Sequence, residues 1–424
     1  MGAQKKKWIT LVIHLILYHA YFAQLKLSKS SFFDSLVNVQ LDKYPEIKLN
    51  PAKYRLQIIY TQINRDKNNE PVFTNYGYRV NNPAYFYCAS LVKLPCSILA
   101  LEKINLLEKY KVTMNTPLMI DSSNSCQRTW HRDWTSENKL PTVAHYIKRM
   151  MLVSDNHSYS RVYEFLTNDF IHARLKELGF PKVKIVVRFD GLCKGENHFI
   201  SNPLYFQAAD SSILYKQESV HSKNVLPVSS KPLLVGKAMI DGNGKKIKKG
   251  KDFSRTNYLE LADEHSILRN LIFLPYKNVG KKKYTITTDQ RLFLIEHMGM
   301  WPRESTFPHY DSSYYDSHKK YLFYGASVKR VTNDSVRIFN IVGQSYGFVS
   351  DCAYIVDQQN GVEFLLSAVI YTNKNGIIND GIYECGSVGL PFLADLGKLF
   401  YSYEKLRVKK IKPDLKEFQF DFKN

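Results

Sequence analysis

Ser90-Leu91-Val92-Lys93 is the stretch on which the reading of this chain turns. It follows a strand-like segment and opens an apolar helical pattern in Leu94, Ile98, Leu99, Leu101 and Ile104. Residues i and i+3 of a helix share a face, about 5–6 Å apart, so Lys93 leans toward the Ser90 hydroxyl. A serine becomes a useful nucleophile when a neighbouring base takes its proton. Desolvation lowers a lysine pKa far enough for it to be that base. Other S-x-x-K matches, such as Ser136 to Lys139 and Ser317 to Lys320, sit in polar, turn-like segments and open no apolar helix.

Further along stands Ser154-Asp155-Asn156, the only S-D-N of the chain. It closes one amphipathic pattern (Val143, Ile147, Met150, Met151) and precedes another (Val162, Phe165, Leu166). Taken alone it is a helix-capping turn, because Ser, Asp and Asn all cap well. Paired with Ser90 and Lys93 it points to a serine hydrolase that works through an acyl-enzyme.

With these motifs the chain resembles the penicillin-recognising serine enzymes, most closely the class A β-lactamase-like family. The resemblance runs from about Lys53 to about Tyr401. It implies an α/β, two-lobed β-lactamase/transpeptidase-like fold, in which an antiparallel sheet flanked by terminal helices packs against an all-helical lobe. It implies that Ser90 is the acylated nucleophile, Lys93 its proton acceptor, and Ser154 a relay to the leaving nitrogen. Asn156 would hydrogen-bond the substrate's amide side chain. Ile341-Val342-Gly343 takes the place of the family's third, K-T-G-like motif. Gly343 would let substrate lie against the strand, and Ser345 would line the groove. The N–H groups of Gln344 and Ser90 would form an oxyanion hole, in which one donor stabilises the transition state by about 2.7–4 kcal/mol.

Two departures from the family stand out. Ile341 occupies the place of the third-motif lysine, which in the family faces the substrate carboxylate and helps the proton relay. Arg337 shares that strand face, but four residues at ~3.3 Å each put it about 13 Å away, so a substitute cation must reach in from elsewhere. The second departure is in the deacylation loop. Arg188-Phe189-Asp190 resembles its start, and the family's glutamate then falls near Cys193, which cannot activate water. Glu196 is the next carboxylate along and the candidate base; its alternative is a solvated loop residue.

Gly343-Gln344-Ser345-Tyr346-Gly347 also spells G-x-S-x-G. A nucleophile elbow of that kind needs a helix after the serine and a later histidine. Strand-like residues Ala353 to Val356 follow instead, and the last histidine is His318. That reading is excluded on order.

The chain has 424 residues and a formal net charge of +20. Lys5 to Lys7 precede an apolar run from Trp8 to Phe22, so residues 1–23 read as a secretion signal cleaved near Ala23. The run is shorter than the ~20 apolar residues of a spanning helix; a retained anchor is the alternative. Export to the periplasm or cell envelope follows, and with it a basic, monomeric protein suited to anionic cell-wall polymer or a membrane surface. Export argues against nucleic acid. Six cysteines (Cys88, Cys96, Cys126, Cys193, Cys352, Cys385) permit disulfides in that compartment, without spacing that fixes their pairing. No C-x-x-C and no H-x-x-x-H pair is present, so neither metal nor cofactor is expected.

Residues 24–405 then form the catalytic domain. The helical lobe spans about 89–315. The sheet lobe draws on about 30–88 and 320–405, and residues 406–424 read as a charged tail. Residues 54–80 alternate as a hairpin with a turn at Asp66 to Asn69. Residues 205–255 read as a hairpin insertion, and 336–372 as strands joined at Asn360-Gly361. Three functions fit: a β-lactamase; a penicillin-binding D-Ala-D-Ala carboxypeptidase, transpeptidase or esterase with the same nucleophile; or a binding or sensor protein whose catalysis is impaired by the loss at Ile341.

Overall fold

The computed structural model describes residues 25–81, 83–123, 126–223, 229, 231–277, 283–332 and 335–422. The expected secretion signal lies outside them. Five antiparallel strands make the main sheet: β1 (Gln57–Arg65), β2 (Pro71–Tyr78), β3 (Val336–Ser345), β4 (Phe348–Asp357) and β5 (Val362–Tyr371). Their order is β3-β4-β5-β1-β2, so strands from both ends of the chain meet where Tyr60 of β1 faces Leu366 of β5.

Period-2 alternation divides this sheet between two cores. Ile58 and Tyr60 join one core with Val349, Ala353, Ile355, Phe364 and Leu366. Ile59 and Ile63 join the other with Phe339, Ile341, Cys352, Tyr354 and Leu365. Every residue of β4 and β5 is buried, since both faces are covered. Helix α1 (Ser31–Asp42) packs against the last helix of the chain on the first face, through Phe33, Val37, Phe392 and Phe400. The second face meets the helical lobe.

That lobe contains α2 (Lys93–Leu106), α3 (Val143–Val153), α4 (Asn156–Leu166), α5 (Asn168–Glu177), α6 (Leu261–Ile272) and α7 (Thr288–Gly299), with α8 (Leu390–Leu406) closing the sheet lobe. Helix α2 packs on α3, α4 and α5, while α6 lies on β1, β4 and β5 and α7 on β3. Gly179 (φ +96°) gives the left-handed turn that ends the α5 segment.

Two differences from the sequence reading have clear causes. The lobe is not all-helical: Leu118–Ile120, Leu204–Gln207 and Ile213–Gln217 pair as a small antiparallel sheet, with Leu204 and Phe206 turned inward. The segment 406–424, read as a charged tail, packs onto the body as far as it is described. Leu415 and Phe418 enter the core, Glu417 pairs with Arg291 at 2.5 Å, and Arg337 stacks on Phe422 at 4.1 Å. The alternation Phe418, Phe420, Phe422 supplies the apolar side that its lysines obscure.

Candidate active site

The nucleophile candidate sits where sheet and helices meet. Ala89–Val92 form one 3₁₀ turn, entered through Ala89 at φ +46°, and α2 starts at Lys93. The tight turn places Ser90 at the helix N-terminus, where the helix dipole favours negative charge. Gly343 of β3 lies against this turn; a Cβ there would meet the Cys88 carbonyl at 2.5 Å and Leu91 Cγ at 3.3 Å. Strand β3 is the edge of the sheet, so this close approach sets Gln344 beside Ser90.

Lys93 is fully buried, and its ammonium is the hub of the site. Nζ reaches Ser90 Oγ at 2.9 Å, Ser154 Oγ at 2.9 Å and Asn156 Oδ1 at 2.8 Å, and also donates to the Ser154 carbonyl. Burial pushes its pKa well below that of an ordinary lysine; the charge of Lys319 pushes the same way, and Asp155 opposes both. An unprotonated amine at this place can take the Ser90 proton, and Ser154 lies on the same nitrogen, where it can pass one on.

The S-D-N stretch is both a cap and a piece of the site. Ser154 (φ +58°) ends α3 in the left-handed conformation, and Asp155 caps α4 by accepting from Ser158 N at 2.7 Å. The sharp turn between the two helices aims Ser154 and Asn156 at Lys93. Asp155 is paired with Arg149 at 3.3 Å and takes no part in the hub. Burial opposes its ionisation, but Arg149 and the Ser158 hydrogen bonds outweigh that and hold its pKa below the usual value.

An open cleft of about 550 Å³ begins at Ser154 and Asn156 and is lined by Arg128, Trp130, His157, Phe189, Asp190 and Tyr314, among others. Trp130 meets the His157 ring edge-on at 4.0 Å and covers the Arg161 guanidinium at 5.5 Å. Burial first, then Arg161, lowers the His157 pKa to about 4, so this ring is neutral at pH 7. Phe189 lies 5.7 Å from Lys93 Nζ.

The loop under the cleft is fixed from below by buried charge. Glu164 binds Arg188 at 2.6 Å and Arg161 at 3.3 Å, and Asn202 donates to it at 3.2 Å. Arg161 in turn holds Asp190 at 2.6 Å. A disulfide joins Cys126 to Cys193, so the segment that leads to Arg128 and Trp130 is tied to the loop that carries Asp190. Cys88, Cys96, Cys352 and Cys385 are free and buried.

The structure thus brings Ser90, Lys93, Ser154 and Asn156 together and sets Gly343 and Gln344 alongside. Ser345 is half-buried at the end of β3, and Tyr346 and Gly347, both at positive φ, make the two-residue turn into β4. G-x-S-x-G is a β-hairpin here. Glu196 is different: it is exposed in the short 3₁₀ turn Gly195–Phe199 and has no hydrogen bond to the hub among the described residues. Two carboxylates line the cleft, Asp155, which is paired with Arg149, and Asp190. The sequence reading missed Asp190 although the run Arg188-Phe189-Asp190 already ends in it; counting onward led to Cys193, which is in the disulfide. Trp130 and His157, which also line the cleft, were missed as well, since nothing local to them in sequence announces a site. Among the described residues no group of His, Cys, Asp and Glu is arranged to hold a metal ion, and no helix is long and apolar enough to cross a membrane.

A buried lysine amine on the serine of a helix N-terminus, with a second serine on the same nitrogen, is an arrangement suited to acyl transfer through a serine. Residues 50–210, which contain all four hub residues, match the β-lactamase enzyme family. A comparison with curated proteins finds no match. Among solved structures the chain is similar to the β-lactamase from Sphaerobacter thermophilus, with 10% identity, TM-score 0.46, and coverage of 88% of this chain and 98% of that one. A β-lactamase from Xanthomonas campestris gives 12% identity, TM-score 0.47 and coverage of 87% and 98%. An ancestral class A β-lactamase gives 11%, 0.46, and 86% and 99%.

Proposed function

We propose that the protein is acylated at Ser90 by β-lactams and releases the opened product by hydrolysis. The observation that carries this reading is the Lys93 amine, buried and hydrogen-bonded at once to Ser90, Ser154 and Asn156. Lys93 takes the Ser90 proton as Oγ attacks the lactam carbonyl. Charge on the carbonyl oxygen develops between the Ser90 and Gln344 N–H groups. Ser154 then delivers a proton to the departing lactam nitrogen, and the C–N bond breaks. Asn156 holds the amide side chain of the substrate. The acyl-enzyme is cleaved by water, and Asp190, on the cleft, is the candidate carboxylate to orient it.

A second reading has one specific support. Asp190 is clamped by Arg161 at 2.6 Å, and a carboxylate so engaged is a weak proton acceptor. Slow deacylation would make the protein a penicillin-binding carboxypeptidase, transpeptidase or esterase, whose own substrate is cell-wall peptide. Intact-mass measurement after mixing with benzylpenicillin separates the two. A Ser90-dependent adduct that forms and decays with turnover supports the lactamase; a persistent one supports the second reading; absence of any adduct at high concentration refutes both. An exported protein at the cell envelope is consistent with either substrate.

A further inference from the structure

The sheet carries a second group of buried polar side chains that the chemistry of Ser90 does not use. Asn340 of β3 alternates with Ile341, so it lies on the face of Ile338 and Val342, away from the helical lobe. Val342 is paired with Asp351 of β4, which makes Asn340 and Asp351 diagonal neighbours on that face. Lys320 enters from the loop before β3. All three side chains are buried. Their neighbours in chain or register, Leu322, Ile338, Val342 and Ala353, belong to one apolar core.

The Asn340 amide is held at both ends. Nδ2 donates to Asp351 Oδ1 at 2.9 Å and to the Lys319 carbonyl at 2.8 Å, and Oδ1 accepts from Lys320 Nζ at 2.8 Å. The Lys319 carbonyl can only accept, which fixes the amide nitrogen on the Asp351 side. With a C=O bond of about 1.2 Å, Nζ lies within ~4 Å of the amide carbon, close to the ~3–3.5 Å of a near-attack pair. Nζ is kept there by the Ile338 carbonyl at 2.9 Å and the Met298 carbonyl, and the Trp301 ring centroid is 5.9 Å from it. Asp351 Oδ2 accepts from the N–H groups of Tyr321 and Leu322 at 3.0 and 2.9 Å, which aims Oδ1 at the amide nitrogen. Burial lowers the Lys320 pKa to about 7, with Asp351 opposing. Burial raises Asp351 to about 7, against its hydrogen bonds and the lysine charge. One proton passing from the first to the second leaves a neutral amine beside a neutral carboxylic acid.

We infer that Lys320, Asn340 and Asp351 form an isopeptide-forming site, in which the lysine amine displaces ammonia from the asparagine amide and links the loop before β3 covalently to the strand. Nζ attacks the Asn340 amide carbon and a new C–N bond forms. Asp351 receives the proton that Nζ sheds and delivers one to Nδ2, and the old C–N bond breaks as ammonia departs. One amine and one primary amide become one secondary amide and one ammonia, and no further reactant is consumed. The product removes an ionisable amine from the core. The reaction is independent of Ser90 and of the function proposed above.

The test is made on the native protein, reduced and examined by intact-mass spectrometry and then as a tryptic digest. The mass is expected to fall short of the mature sequence by one ammonia, and the digest to contain a branched peptide joining residue 320 to residue 340. Unmodified Lys320 and Asn340 in separate peptides overturn the inference, as does an ammonia loss that maps elsewhere, for instance to an N-terminal glutamine. Lys320→Met and Asn340→Ala are expected to abolish the branched peptide. Asp351→Asn, close in shape, is expected to reduce its yield at least ten-fold; a native yield in that variant overturns the role of Asp351. Asn340→Asp is expected to lose water in place of ammonia. Where a variant fails to fold, the branched peptide of the native protein decides by its presence or absence.

Discussion

The two walls of the cleft are assembled from different kinds of information. The helical wall takes Ser90 and Lys93 from one turn, and Ser154 and Asn156 from another, so short-range spacing forms each pair and the packing of α2 on α3 and α4 joins the two. The sheet wall takes Gly343 and Gln344 from β3, with Tyr321 from the loop before it bonded to Gln344 and held by Asp351 of β4. Helix geometry dictates the first wall; only strand register dictates the second. A hub made from two local turns needs only the packing of the helices that carry them, whereas the sheet wall exists only when β3 and β4 are correctly paired.

The sharpest way to break this contrast is to remove the helical wall's chemistry while leaving its packing. Ser90→Ala is expected to abolish covalent labelling by fluorescent penicillin. Lys93→Met, close in shape, is expected to slow acylation by about 10²–10⁴-fold, the range of a lost general base; stopped-flow labelling measures both. If Lys93→Met labels at the native rate, the proton acceptor is another group.

Next in size is the loop beneath the cleft. Arg188→Met leaves Glu164 with one guanidinium fewer in a site with almost no solvent. Loss of one partner of a buried pair costs about 3–5 kcal/mol, which urea titration would read as a large fall in midpoint. A change below about 1 kcal/mol would show that the charge cluster does not hold the loop.

The sheet wall is tested by Gly343→Ala. The new Cβ would meet the Cys88 carbonyl at 2.5 Å and Ser350 Oγ at 2.7 Å, and backbone has to move. Overpacking of this kind costs about 1–3 kcal/mol, and acylation is expected to fall by more than the stability loss explains, because Gln344 shifts away from Ser90. Equal labelling rates at saturating protein would separate β3 from the oxyanion site.

The smallest effects are in pH dependence. Burial depresses His265 to about 3 and His297 to about 4, so both stay neutral in the folded state while they protonate in the unfolded chain near the ordinary value of 6.5. The unfolded state therefore binds more protons as pH falls below about 6.5. Stability is fully present above that pH and declines toward 4, with a slope near 1.4 kcal/mol per pH unit for each such group. Chemical denaturation at pH 7, 5.5 and 4.5 checks it. In the acylation profile, the depressed Lys93 pKa puts the rising limb well below pH 10, since the amine must be unprotonated to act.

Much of the fold was legible because its signals are periodic. The hairpin at Asp66 to Asn69, the turn at Asn360-Gly361 and the helix after Ser90 each follow from alternation or apolar spacing. What stayed hidden depends on neighbours remote in sequence. Lys319 and Lys320 look alike in a lysine-rich chain, yet only the folded sheet decides that the Lys320 ammonium is spent on carbonyls while the Lys319 carbonyl accepts from Asn340. The Ser317 to Lys320 match is explained by the same packing: Ser317 Oγ donates to the Val328 carbonyl at 2.9 Å, so the two residues build a strap and not a reacting pair. Asp190 was overlooked because its role follows from Arg161 on another element, and the aromatic anchors at the end of the chain because their lysines dominate its composition.

The bond between Cys126 and Cys193 gives the molecule a dependence on its surroundings. It staples two rims that otherwise belong to separate excursions of the chain. Outside the cell such a staple persists, whereas in a thiol-rich cytosol it would be cut. The same polypeptide would thus have a fixed aperture in one place and a slack one in the other, and grip on a small ligand would depend on where the chain matures.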